Sequence, residues 1–212
     1  MRLGIFGGTF DPPHIGHLIV AQDAALALGL DRVFFVPAGA PPHKRERSIT
    51  SAAIRRAMLE GAVAGNARFA VEPLELEQGL SYTVDTLRSL RARHPAAEMW
   101  LLIGLDQWRE FATWRDPDAI LALAGVAVIQ RGADSFAPES AAPVGATPNA
   151  APERMETSRW SAVYGDRVRF IAATRIDISS SEIRRRVGVG ESVRYLAPDA
   201  VIEIIFREQL YR

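Results

Sequence analysis

The sequence predicts an α/β fold built on a doubly wound, mostly parallel sheet with helices on both faces. Two features point to it. Short apolar runs bounded by turn residues read as strands buried on both sides, and amphipathic stretches of helical spacing separate them, so strand and helix alternate along the chain. A chain of 212 residues suits one Rossmann-like domain over 1–212, because a core of this size buries enough apolar surface without dividing.

In chain order, strands are expected at 2–6, 32–37, 99–103, 126–130 and 168–172, with a weaker one at 69–71. Helical spacing occupies 15–28, 51–63, 83–93 and 117–123, ended by Gly29, Gly65, Pro95 and Gly125. Residues 133–154, rich in Ala, Pro, Ser and Gly with little apolar periodicity, read as a mobile excursion rather than a packed element.

The totals narrow the function. Apolar residues at 48% and charged ones at 24% are ordinary globular values. Lys plus Arg equal Asp plus Glu at 25 each, so nothing suggests the broad attraction that holds nucleic acid or acidic lipid, and any anion site must be local. Without cysteine there is no thiolate metal site or cysteine nucleophile. No run approaches the roughly 20 apolar residues of a membrane span, and a cytoplasmic location is expected.

Doubly wound sheets bind ligands beyond the carboxyl ends of their strands. Strand one runs into Gly7-Gly8-Thr9-Phe10-Asp11-Pro12-Pro13-His14-Ile15-Gly16-His17, and a helix follows. Glycines let backbone amides approach a ligand, and a helix start offers free N–H groups and a favourable dipole, which suits phosphate. Three-residue spacing puts His14 and His17 on one helical face, with Gly16 leaving room beside it for a bulky ligand. A tight turn with histidines satisfying local polar groups is the competing reading. The Rossmann G-x-G-x-x-G and the Walker sequence are both absent, and two imidazoles without a third ligand do not make a zinc site.

The second such place follows the strand at 168–172: Ile178-Ser179-Ser180-Ser181-Glu182-Ile183-Arg184-Arg185-Arg186 looks like another helix start. Ser179 and Glu182 have capping-box spacing, and capping alone would explain them. Serine hydroxyls and free amides also hold phosphate oxygens, with Arg184 as the bidentate guanidinium contact.

The G-T-F-D-P turn with H-x-G-H, and the later I-S-S-S-x-I-R in which Ser181 replaces threonine, resemble the nucleotidylyltransferase superfamily. Pro41-Pro42-His43-Lys44, Ser81-Tyr82-Thr83, Gly104-Leu105-Asp106 and Phe111-Ala112-Thr113-Trp114 make the pattern similar to bacterial nicotinate-nucleotide adenylyltransferases, rather than phosphopantetheine enzymes with T-x-G-H. The resemblance implies adenylyl transfer from ATP to nicotinate mononucleotide, giving nicotinate adenine dinucleotide and pyrophosphate in NAD biosynthesis. Alternatives are transfer to nicotinamide mononucleotide or phosphopantetheine, and a noncatalytic nucleotide-sensing module.

By the same resemblance His14, His17 and Arg184 are catalytic. Gly7, Gly8, Thr9, Phe10, Gly104, Asp106, Ile178, Ser179 and Ser181 join them in binding ATP, and Lys44, Thr83 and Trp114 bind the acceptor. Asp106 reads equally as a helix cap, Trp114 as a core residue and Lys44 as part of an exposed charged turn. Mg²⁺ is expected with ATP and takes no assigned protein ligand. The partners are ATP and nicotinate mononucleotide, with homo-oligomerisation left open.

Overall fold

The computed structural model describes residues 1–39, 49–79, 82–131 and 165–212. His43, Lys44, Ser81 and the excursion at 133–154 lie outside them.

Six strands, β1 (Arg2–Gly8), β2 (Arg32–Pro37), β3 (Phe69–Val71), β4 (Glu98–Gly104), β5 (Gly125–Arg131) and β6 (Val168–Ala173), form one sheet in the order β3-β2-β1-β4-β5-β6. Every pairing is parallel. The helices are α1 (Ile15–Leu28), α2 (Ala52–Val63), α3 (Leu74–Gln78), α4 (Thr83–Arg93), α5 (Leu105–Arg109), α6 (Pro117–Leu123), α7 (Ser180–Gly188) and α8 (Asp199–Arg207). The chain winds outward from β1 to β3, then returns to the other side of β1 to begin β4. That reversal leaves a crevice at the carboxyl ends of β1 and β4, where doubly wound sheets take ligands.

Alternation within the strands explains how both faces are covered. Leu3 and Ile5 of β1, Met99, Leu101 and Ile103 of β4, and Val126 and Val128 of β5 pack with Val84, Leu87 and Leu90 of α4 and Ile120 and Leu121 of α6. Their neighbours Trp100, Leu102, Ala127 and Ile129 point the other way, onto Val20, Ala21, Ala24 and Leu28 of α1 and Leu59 and Val63 of α2. A third cluster joins Met58 and Ala62 of α2 to Ile183 of α7 and Val201, Ile204 and Ile205 of α8. Through it, α7 is set beside the opening of α1.

β2 and β3 have the expected bounds, whereas β1, β4 and β5 are longer than their apolar runs, because backbone pairing continues through Gly7–Gly8, Glu98, Gly104 and Gly125, which carry no apolar side chain. Gly125 starts β5 rather than ending α6; the ring of Trp100 would lie 2.7 Å from a Cβ placed there. Gly29 caps α1 as expected: its left-handed φ of 60° lets its N–H reach the carbonyls of Ala25 and Leu26.

Candidate active site

The carboxyl end of β1 separates two cavities. One, of about 210 Å³, is lined by Phe6, Gly7, Gly8, Phe10, His17, Val20, Gly104, Gln107 and Ile129. The other, of about 240 Å³, has Gly7, Gly8 and Gln107 in common with it and continues along Thr9, Val36, Ala38, Glu75, Thr83, Thr86, Leu87 and Trp114. Gly8 is glycine for a steric reason. A Cβ there would meet the Phe10 ring at 2.9 Å, while one on Gly7 would project into open space. Phe10 is buried under the turn with a positive φ of 49°.

His14 is the N-cap of α1, one residue short of the helix itself. Its ring nevertheless stacks on that of His17, with centroids 3.6 Å apart. The two histidines are not equivalent. His14 is buried and is not among the residues lining either cavity, whereas His17 lines the smaller one. The backbone N–H of His14 donates to His17 Nδ1 at 3.1 Å, so Nδ1 is the acceptor nitrogen and Nε2 carries the proton of the neutral ring. His17 is thereby held as a donor. A Cβ on Gly16 would lie 3.1 Å from His14 Nδ1, so the absence of a side chain there makes room for the His14 ring.

The helix start after β6 is tied directly to this turn. Ser180 Oγ donates to the Pro12 carbonyl at 2.8 Å, and Arg184 donates through Nη1 to the Asp11 carbonyl and through Nη2 to Ser181 Oγ at 2.9 Å. Ser179 is the N-cap of α7, accepting from the Glu182 N–H at 3.1 Å. The Glu182 side chain instead pairs with Arg185 and Arg186 at 2.8 Å, so it does not complete a capping box. Ile178 is half-buried beside the third core cluster. The two stretches, more than 160 residues apart in sequence, thus share one corner.

Two groups missed in the sequence, the buried Arg55 and the half-buried Tyr211, hold the turn from behind. Arg55, 2% exposed, donates to the carbonyls of Thr50 at 3.0 Å, Thr9 at 2.9 Å and Gly39 at 3.3 Å. Burial pushes its pKa down, opposed by the nearby Asp11 and Tyr211. Tyr211 donates its hydroxyl to Asp11 Oδ1 at 2.6 Å and accepts from Thr50 Oγ1 at 3.3 Å; burial and then the bond to Asp11 push its pKa up. A lone arginine in an amphipathic helix and a tyrosine near the last residue carry no local sign of these contacts.

At the end of β4, Gly104 lines the smaller cavity, and its N–H donates to Gln107 Oε1 at 3.1 Å. Gln107 also escaped the sequence reading, although Gln at the third position of a helix is a known capping choice. Asp106 lines neither cavity; its side chain is 97% exposed and pairs with Arg109 at 3.3 Å. Trp114 is half-buried, packs near Phe111 at 5.5 Å and lines the larger cavity with Thr83, so it is at once a core residue and a cavity wall. Glu75, also unforeseen, enters that cavity from α3. Burial raises its pKa, against hydrogen bonds from the Thr86 hydroxyl at 2.8 Å and from the Gly39 backbone.

Comparison with known proteins bears on this arrangement. Residues 5–186 match the model of the family described as Cytidylyltransferase-like. The chain is 39% identical, over all of its length and 92% of the relative's, to a protein of Rubrobacter xylanophilus named "Probable nicotinate-nucleotide adenylyltransferase". A Thermomicrobium roseum protein of the same name is 43% identical, again over the whole chain and 92% of the relative. Among solved structures, the Plasmodium falciparum nicotinic acid mononucleotide adenylyltransferase complexed with NaAD has a similar fold. Its TM-score is 0.71 at 16% identity, covering 99% of this chain and 97% of that one.

Proposed function

Since the chain belongs to the cytidylyltransferase-like family and, within it, to the nicotinate-nucleotide adenylyltransferases, we propose that it joins the adenylyl group of ATP to nicotinate mononucleotide, releasing pyrophosphate. The observation that carries this reading is the pair of cavities divided by the Gly7–Gly8 strand end. ATP occupies the His17 and Gly104 side. The acceptor occupies the Thr83 and Trp114 side, its ring against the Trp114 indole. The reacting phosphates meet over the glycines.

The acceptor phosphate is already ionised near neutral pH. One of its oxygens attacks the α-phosphorus of ATP, a new P–O bond forms, and the bond to the β-phosphate bridge oxygen breaks with departure of pyrophosphate. Neither an enzyme nucleophile nor a strong base is required, so catalysis rests on alignment and charge stabilisation. His17 donates to the phosphates through Nε2, and His14 supports it from behind. The free amides at the start of α7, Ser181 and Arg184 close over the phosphate side. Mg²⁺ would accompany ATP, held on substrate oxygens.

Pyrophosphate release is the test, measured with ATP, Mg²⁺ and nicotinate mononucleotide, nicotinamide mononucleotide or phosphopantetheine in turn. Strong preference for the acid nucleotide, with its dinucleotide as product, is expected. Preference for either other acceptor would overturn the substrate assignment, and ATP binding without pyrophosphate release from any acceptor would leave a nucleotide-sensing module.

A further inference from the structure

The larger cavity poses an electrostatic problem. Among the described residues lining it, the single ionisable side chain is a carboxylate, Glu75; the others are glycine, threonine, glutamine, tryptophan and aliphatic residues. A nucleotide with a phosphate and a ring carboxylate is a poor neighbour for such a group, because like charges close together in a low-dielectric pocket repel. The carboxylate is also firmly placed. The Thr86 hydroxyl of α4 donates to Oε1 at 2.8 Å, and the Gly39 backbone N–H also donates to it. Two donors favour its charged form, while an ionised carboxylate accepts more bonds than these two. Among the described residues lining the cavity, no cationic side chain offsets this charge.

The acceptor contains one positive centre. In a nicotinate mononucleotide the ring nitrogen is bonded to the ribose and is quaternary, so the ring is a pyridinium cation. Resting on the acceptor assignment made above, we propose that Glu75 is a specificity-determining residue that selects the cationic pyridinium ring of the acceptor. Trp114 acts in the same sense, since the negative face of an indole attracts a cation. Glu75 and Trp114 line the same cavity, so both favour a cation within it. The amides and turn at Gly7, Gly8 and Thr9 are the part of its wall suited to phosphate. Burial raises the Glu75 pKa, and a cation beside it would favour the ionised form.

The decisive comparison uses two acceptors of nearly equal shape: nicotinate mononucleotide and its 1,4-dihydropyridine form, in which the ring nitrogen is neutral. Equilibrium dissociation constants for both are measured by calorimetry on the unaltered protein and on Glu75→Gln, which keeps an oxygen to accept from Thr86. The unaltered protein is expected to bind the pyridinium about tenfold more tightly than the dihydropyridine. Glu75→Gln should reduce that preference at least severalfold, chiefly by weakening pyridinium binding, with the KM for ATP unchanged. Glu75→Asp should retain most of the preference.

Equal binding of the two acceptors by the unaltered protein would overturn the inference without need of a variant. So would a preference that Glu75→Gln leaves intact, including the case in which both affinities fall together, as they would if Glu75 merely held α3 to α4. Failure of the unaltered protein to turn over nicotinate mononucleotide, with another acceptor consumed instead, would overturn the acceptor assignment itself. Turnover with an unchanged binding ratio would overturn only the role of Glu75.

Discussion

The two cavities at the β1 carboxyl end share a wall and differ in nearly everything beyond it. The smaller is bounded by Phe6, Phe10 and His17, three rings that brace one another: the Phe10 and His17 centroids are 5.0 Å apart, and those of Phe6 and Phe10 5.7 Å. The larger is a sleeve between the sheet and α4, with an indole at one end and a carboxylate in its wall. The rigid side holds a donor of fixed direction, and the other holds groups suited to recognising a ring. Chemistry and selectivity therefore separate along the sheet, and substitutions on the two sides should damage different kinetic constants.

His17→Ala gives the largest expected effect. Removal of one prealigned donor to developing charge typically costs about 10²–10³ in kcat. The KM for ATP should change only severalfold, because the contact strengthens in the transition state. Steady-state kinetics with ATP varied checks this. Losses of equal size in turnover and ATP affinity would make His17 a binding residue and erase the contrast between the cavities.

Trp114→Ala should act on the other side alone, raising the KM for the acceptor about tenfold, the cost of a lost stacked cation–π contact of ~1–1.5 kcal/mol, while the KM for ATP stays within twofold. Because Trp114 also packs near Phe111, Trp114→Phe is the better control and should restore most of the affinity. Gln107 belongs to the shared wall and sharpens the comparison from the middle. Its Oε1 is occupied by the Gly104 N–H, which leaves the amide NH₂ as donor. Gln107→Ala should raise both KM values about two- to fivefold; an effect confined to one substrate would assign Gln107 to one cavity.

Different parts of this arrangement were legible in the sequence to different degrees. The strands and long helices were readable because burial on both faces of a parallel sheet leaves near-continuous apolar runs, such as Val33 to Val36, because α4 keeps an amphipathic period, and because α1, apolar over most of its circumference, is closed by Gly29. Short α3 and α5 were not, having only five residues each. The turn after β1 and the start of α7 stood out through glycine, histidine and hydroxyl clustering. Their mutual attachment did not, since Ser180 to Pro12 and Arg184 to Asp11 are tertiary bonds without local pattern. Asp106 shows the converse: prominent in the sequence, its side chain points to solvent here. Glu75, Arg55 and Tyr211 are common residue types made special by burial alone.

The smallest predicted effect sets the larger cavity against the amino-terminal end of β4, through two carboxylates whose environments push them in opposite directions. Glu98, at the start of β4, is held down to about 2 by hydrogen bonds from Arg2 and Trp100. Its folded state binds fewer protons than the unfolded one between about pH 4.5 and 2, so its contribution is present above that window and is lost as pH falls through it. Since its side chain is 51% exposed, Glu98→Gln should cost under about 1 kcal/mol at pH 7. Glu75 is raised by burial, so the folded state holds its proton more tightly, and ionisation erodes stability as pH rises from the ordinary carboxylate value through the raised one. Glu75→Gln should therefore stabilise the protein by about 1 kcal/mol at pH 7, with the gain vanishing near pH 4, where both states are increasingly neutral. Denaturant unfolding of both variants at pH 4 and 7 measures the two slopes. Opposite signs would mean that the larger cavity carries a charge the fold alone disfavours, as a group kept for binding does. Destabilisation of both at pH 7 would place Glu75 with Glu98 as a structural carboxylate.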